Sequence, residues 1–279
     1  MQWRGRRESG NIEDRRGITG GHVAFGGIGG MIIAAIVYFL GGNPSDVVQP
    51  QQDRTSTNSY SDNANDTLKD YIGVVLADTE DVWDSLFNSM HQQYVKPTLV
   101  LFSGETDAGC GYASSATGPF YCPSDQKVYI DLSFANELTS RFGASNGDFA
   151  MAYVLAHEVG HHVQNLLGIT EKMDRMRSQV SESEYNKLSV KLELQADFLA
   201  GVWAHYNQQM KHVLDAGDID EALSAANAVG DDRLQKEMQG RVVPDSFTHG
   251  TSEQRMYWFK KGYSTGDLNQ GDTFGDGSL

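Results

Sequence analysis

Basic residues are scarce in this chain. Lysine and arginine number 22 against 37 aspartates and glutamates in 279 residues, a formal net charge of −15. The deficit is uneven: residues 1–21 hold five arginines against Glu8, Glu13 and Asp14, a local +2, which leaves −17 for the rest. So acidic a body argues against binding nucleic acid and against lying flat on anionic lipid, and simple solubility is the alternative use of the charge. Cysteine is nearly absent: Cys110 and Cys122 stand alone, with no C-x-x-C spacing to suggest a thiolate zinc site. No internal repeat is present, and the first sixty residues lack the make-up of a domain. Beyond them roughly 215 residues remain, enough to bury a sizeable core.

Against these absences one pentapeptide stands out, His157-Glu158-Val159-Gly160-His161. It reads H-E-x-x-H, and on a helix residues four apart share a face, so both imidazoles can grip one zinc ion while Glu158 reaches the bound water. The flanking sequence supports a helix. Asn146-Gly147-Asp148 offers an N-cap and an acidic first turn, the periodic run from Phe149 to Leu167 is largely apolar, and Gly168 provides a C′ stop. The alternative is a pair of hydrogen-bonded core histidines, which would leave three polar groups needing partners at once.

A second helix is expected over Ser181 to Asn207, opened by the capping-box-like Ser181-Glu182-Ser183-Glu184. Within it Glu193 and Asp197 are four apart. One can ligate zinc while the other accepts the free N–H of a ligating histidine and fixes its tautomer; the alternative is a solvated acidic face. His162 points about 100° away from its neighbour around the helix and is expected to pack or hydrogen-bond, not to ligate.

These motifs resemble known families. Glu193-x-x-Ala196-Asp197 after His157-Glu158-x-x-His161 resembles the glutamate zincins, in which a downstream helix supplies a glutamate as third ligand. Phe247-Thr248-His249-Gly250 followed by Arg255 is similar to a segment of membrane-associated peptidases of the HtpX type. The stretch from Cys110-Gly111 through Gly118-Pro119-Phe120-Tyr121-Cys122-Pro123 and Val128-Tyr129-Ile130-Asp131-Leu132 into Ala156–Asn165 resembles the bacterial neutral zinc metallopeptidase family of the YpfJ type. The resemblance implies one Zn²⁺ per chain on His157, His161 and Glu193, Glu158 as catalytic base, Asp197 behind the ligands, and catalytic roles for His249 and Arg255. His249 is the candidate oxyanion donor, with Arg255 supporting it or pairing with a carboxylate. The implied substrate is a peptide or unfolded protein.

The expected fold is α+β: a zincin-like domain with a small sheet on the active-site helix and further helices around it. Helices are expected from Asp66 to about Met90, over Asp218–Val229 and over Ser252–Tyr263, and strands over Thr98–Phe102 and Lys127–Leu132. By the resemblance, Val128–Leu132 is either the sheet edge that takes an extended peptide or an ordinary core strand.

The expected organisation is a cytoplasmic basic arm (1–22), a transmembrane helix (23–40), a polar linker (41–65), the peptidase domain (66–264) and a flexible tail (265–279). Val23–Leu40 is an 18-residue uncharged run, long enough at 1.5 Å per residue to cross a bilayer core. The arginines before it predict a single-pass inner-membrane protein with a cytoplasmic N-terminus and an extracytoplasmic body. Gly26 and Gly30 could bring two such helices together as a homodimer. Outside the cytoplasm Cys110 and Cys122 are expected to form a disulfide, which would stabilise by about 3 kcal/mol; two free buried thiols are the alternative. Two further readings stand beside the peptidase: a catalytically silent, zinc-stabilised scaffold of the cell envelope, and a regulator of envelope assembly.

Overall fold

The structure is a computed structural model that describes residues 1–17, 59–145 and 147–275, with residues 59–65 described by backbone alone. The expected transmembrane run, with Gly26 and Gly30, most of the linker and Asn146 lie outside the described residues. No described helix is long and apolar enough to cross a membrane.

The chain opens with a short strand, β1 (Ile12–Asp14), followed by helix α1 (Ser59–Ser89), which begins before the expected Asp66 and so takes in the end of the expected linker. Strands β2 (Thr98–Phe102), β3 (Glu105–Ala108), β4 (Gly111–Ser114), β5 (Phe120–Cys122) and β6 (Lys127–Asp131) come next. After β6 the chain is helical: α2 (Phe134–Ser140), α3 (Asp148–Leu166), α4 (Ile169–Arg177), α5 (Glu182–Lys211), α6 (Asp218–Ala228), α7 (Asp231–Gln239) and α8 (Ser252–Thr265).

The main sheet has the order β1-β2-β6-β5, with β1, β2 and β6 parallel and β5 antiparallel to β6. Leu99–Phe102 and Val128–Ile130 are almost wholly buried, as parallel strands covered on both faces require. The β3–β4 hairpin stands apart as a two-stranded sheet. Cys110 and Cys122 form the expected disulfide, which ties the end of this hairpin's turn to β5.

Helix α3 stops and helix α5 starts where the sequence suggests, while α5 runs on to Lys211, past the expected Asn207. Gly168 after α3 takes a left-handed φ of 73°, and Ser181 caps α5 by a reciprocal capping box with Glu184. α3 packs on α5, α1 and α6, and α5 packs most extensively on α8. Two glycines permit that last crossing. A Cβ on Gly201 would lie 2.1 Å from the Phe259 carbonyl oxygen, and one on Gly262 would lie 2.1 Å from that of Phe198. Backbone therefore meets backbone where any side chain would hold the helices apart.

Three expectations are corrected. The basic arm is part of the body, because β1 extends the parallel sheet and Arg6 and Arg7 bond to acids of α1. The domain therefore does not begin at residue 66. The tail from residue 265 is held as far as it is described: Gln195 donates to the Gly271 carbonyl, and Thr273, fully buried, donates to the Lys191 carbonyl. Of the two readings left open for Val128–Leu132, the core strand is the one observed: β6 (Lys127–Asp131) lies inside the sheet between β2 and β5, and β1 and β5 are the edges.

Gly201→Ala should lower stability by about 3 kcal/mol, while Gly10→Ala, with nothing within 4 Å of its added carbon, should leave it unchanged. Equilibrium denaturation in urea checks both.

Candidate metal centre

His157, Glu158 and His161 lie on α3, and Glu193 and Asp197 on α5. The two helices meet closely at Gly160, where an added Cβ would sit 3.0 Å from the Ala196 carbonyl oxygen and 3.2 Å from its Cα. That approach brings His157 Nε2 to 3.2 Å from Glu193 Oε2, and His161 Nε2 to 3.4 Å from Glu193 Oε1. One ligand atom from each of His157, His161 and Glu193 lies within 4.8 Å of the others.

The partners of the ring nitrogens decide what these atoms can do. His157 Nδ1 is 2.8 Å from Asp197 Oδ1, and a carboxylate only accepts, so Nδ1 carries the proton. His161 Nδ1 likewise faces the amide oxygen of Gln164 at 2.9 Å. Both imidazoles are thereby set with Nε2 bare. Two lone pairs and a carboxylate converge on one point, an arrangement that repels itself unless a cation lies there. The two histidines meet different oxygens of Glu193, each at close to the edge of a tetrahedron with zinc–ligand bonds of about 2.0–2.1 Å, roughly 3.3–3.4 Å. The donor set and spacing therefore fit zinc.

Without a cation the histidine must hold the charge itself. Burial works to lower the pKa of His157, but the Asp197 charge and hydrogen bond, with Glu193, raise it to about 10. Glu193 is pulled well below the usual carboxylate range: burial opposes this, and His161 and His249 outweigh it.

Asp197 is completely buried and saturated. Besides His157 it accepts from the Tyr153 hydroxyl at 2.6 Å and from Arg255 Nε and Nη2 at 2.9 and 3.1 Å. Despite burial, Arg255 and His157 lower its pKa to about 2. Arg255, 4% exposed, also bonds Tyr153 and the Val229 carbonyl. Its guanidinium sits behind His157, on the carboxylate, so of the two expected roles the geometry favours pairing with a carboxylate, Asp197, over supporting His249.

Glu158 is buried, yet its carboxylate makes no hydrogen bond or ion pair among the described residues. His249 sits on the loop before α8, its imidazole half exposed. Asp231, at the start of α7, accepts the backbone N–H groups of Thr248, His249 and Gly250 at 2.7, 2.6 and 3.0 Å and lies 3.3 Å from His249 Nδ1. Desolvation works against the charged form of His249, but Glu193 and Asp231 raise its pKa.

His162 lies away from the centre, as expected. It bridges the Val95 carbonyl at 2.6 Å and the Tyr121 hydroxyl at 2.9 Å, linking α3 to edge strand β5. Asn165 also donates to Tyr121.

Three residues escaped the sequence reading: Gln164, Tyr153 and Asp231. Gln164 lies one turn beyond His161 on the same helix, a spacing that could have flagged it. Tyr153 stands one turn before His157 in the same way. Asp231 carries no such signal, because an aspartate at a helix start looks like an ordinary cap.

The family described as "Putative neutral zinc metallopeptidase" matches residues 1–274, and the chain belongs to it. Among its relatives, the "Uncharacterized protein YpfJ" of Escherichia coli K12 is 50% identical over 287 aligned residues, covering 99% of each chain. The "Uncharacterized protein Rv2575" of Mycobacterium tuberculosis H37Rv is 45% identical over 205, covering 70% of this chain and 68% of that one. No solved structure matches the chain.

Two predictions follow from the hydrogen bonding. Gln164→Ala should weaken zinc binding about 10–100-fold, read by competition with a chelator. Burial pushes the His162 pKa down to about 4 from its ordinary 6.5. Below pH 6.5 the unfolded chain takes up a proton that the folded one refuses until about pH 4. Stability should therefore fall across that window by about 3 kcal/mol and be fully restored above it. In His162→Gln the total fall in denaturation free energy over the window should be smaller by that amount.

Proposed function

We propose that this protein is a zinc-dependent peptidase that hydrolyses peptide bonds in peptides or unfolded proteins. The observation that carries the reading is Glu158: a buried carboxylate without a protein partner, one residue from a histidine whose bare nitrogen faces a second histidine and a glutamate. A site built only to stabilise the fold, as in a silent scaffold, has no need of that free carboxylate.

His157, His161 and Glu193 are the residues that would hold the metal, one zinc per chain. Zinc bound there supplies Lewis acidity, lowering the pKa of water and polarising the scissile carbonyl. Glu158 takes the proton of the attacking water and delivers it to the leaving amine. Asp197 holds the His157 ring in its tautomer, and Arg255 neutralises Asp197, so Arg255 is a positioning residue. His249, oriented by Asp231 at Nδ1 and favoured in its doubly protonated form by Glu193 and Asp231, donates to the oxyanion as it forms from an Nε2 without a partner among the described residues. The outer edge of β5, tied to α3 through Tyr121, is where an extended substrate can pair in place of the interior β6.

Glu158→Gln should keep zinc at full occupancy and lose hydrolysis of an unfolded protein substrate by about 10²–10⁴-fold, whereas Glu193→Ala should lose the metal. Metal analysis beside a cleavage assay separates the two, and undiminished cleavage by Glu158→Gln would refute the mechanism.

A further inference from the structure

Helix α1 carries Asp78, Thr79 and Glu80 in succession, each no more than 1% exposed, between the apolar Val74–Ala77 and Val82–Trp83. Two buried carboxylates are costly unless paired and hydrogen-bonded. Most of their partners come from the first eleven residues. Arg6 grips Asp78 with both terminal nitrogens, at 2.8 and 2.5 Å. Arg7 reaches Glu80 at 3.2 Å and Asp81 at 2.6 Å. Ser9 and Asn11 both donate to Glu80 Oε1, at 2.5 and 2.7 Å. From the body itself, Lys211 and Asn207 of α5 complete Asp78, and Lys96 lies 3.7 Å from Glu80.

The arm then enters the sheet. Ile12, Glu13 and Asp14 pair in parallel register with Leu99, Val100 and Leu101 of β2. Lys127 of β6 bonds Glu13 at 2.6 Å, and Lys69 of α1 meets Asp14 at 2.9 Å. Removing the arm would leave two buried carboxylates short of their partners and a fully buried strand with an open edge. The body is thus built around the arm, and the docked arm belongs to the native fold.

This constrains topology. Gly17 and Ser59 both belong to one folded unit. A chain that crossed a bilayer once between them would place arm and body on opposite faces, where none of these contacts could form. We propose that residues 1–17 and the body from residue 59 lie in the same compartment, so that the chain between them begins and ends on the same side of any membrane it meets. Of the arginines before Val23–Leu40, which would otherwise mark a cytoplasmic flank, Arg6, Arg7 and Arg16 instead pair with acids of α1.

Thiol labelling of the full chain in intact cells tests this, because both native cysteines are held in the disulfide. Gly10→Cys places a thiol on the arm in open space, and Met238→Cys places one on the body at a position 59% exposed. With a membrane-impermeant maleimide the two variants should behave alike, both labelled in intact cells or both only after permeabilisation. Labelling of one before permeabilisation and the other only after it would overturn the proposal. A second measurement needs no variant. A zero-length carbodiimide applied before extraction should join Glu13 to Lys127 and Asp14 to Lys69, read by mass spectrometry of the linked peptides. Failure of both links, while the body-internal pair Asp81–Lys211 at 2.5 Å is joined, would also overturn it.

Discussion

Two helices must approach closely enough for a glutamate on one to meet two histidines on the other, and the rest of the site depends on that approach. Gly160 permits it, with the α5 backbone at Ala196 passing where a side chain would stand. Ala196 lies between Glu193 and Asp197, so the same crossing delivers a ligand to the front of His157 and a carboxylate to its back. The charges then set the partner. Glu158, Glu193 and Asp197 carry three negative charges, Arg255 carries one positive, and both histidines are set as neutral donors. The sum of −2 suits a divalent cation, and two imidazoles with one carboxylate suit zinc.

The outer shell is held with equal strictness. Asp197 is fixed by Tyr153 and Arg255, so α8 helps determine the orientation of a histidine on α3. α8 can reach that position because Gly201 and Gly262 let it lie backbone to backbone on α5. Gln164 does the same work for His161 and is itself secured by donating to the Leu192 carbonyl and Gln195 on α5. The arm joins this system at the other end of α5, where Asp78 binds Arg6 together with Asn207 and Lys211.

What could be read from sequence follows the range of each interaction. His157, Glu158 and His161 are local, fixed by helical spacing, and Glu193 with Asp197 repeats that spacing on a second helix. Strands Thr98–Phe102 and Lys127–Asp131 were visible as apolar runs, but their order in the sheet was not. Nothing in Val128–Leu132 tells an edge from an interior strand when the covering strand, Phe120–Cys122, has only three residues. β1 was hidden for a related reason: Ile12-Glu13-Asp14 is short, charged and set among arginines, and it becomes a strand only through β2. Arg255 is singled out by the sequence, but which way its guanidinium faces depends on the packing of α8. Asp231 is reached only through the loop that folds back over it.

Everything proposed for the site requires two histidines and one glutamate of this chain to hold a single zinc ion with a position left open. X-ray absorption at the zinc edge of the purified full-length protein tests it most directly. The expected spectrum shows one zinc per chain, two imidazole nitrogens and oxygen ligands at about 2.0–2.2 Å, and no sulfur near 2.3 Å. A sulfur scatterer, a first shell with a single imidazole, or a fourth protein ligand closing the site would contradict it.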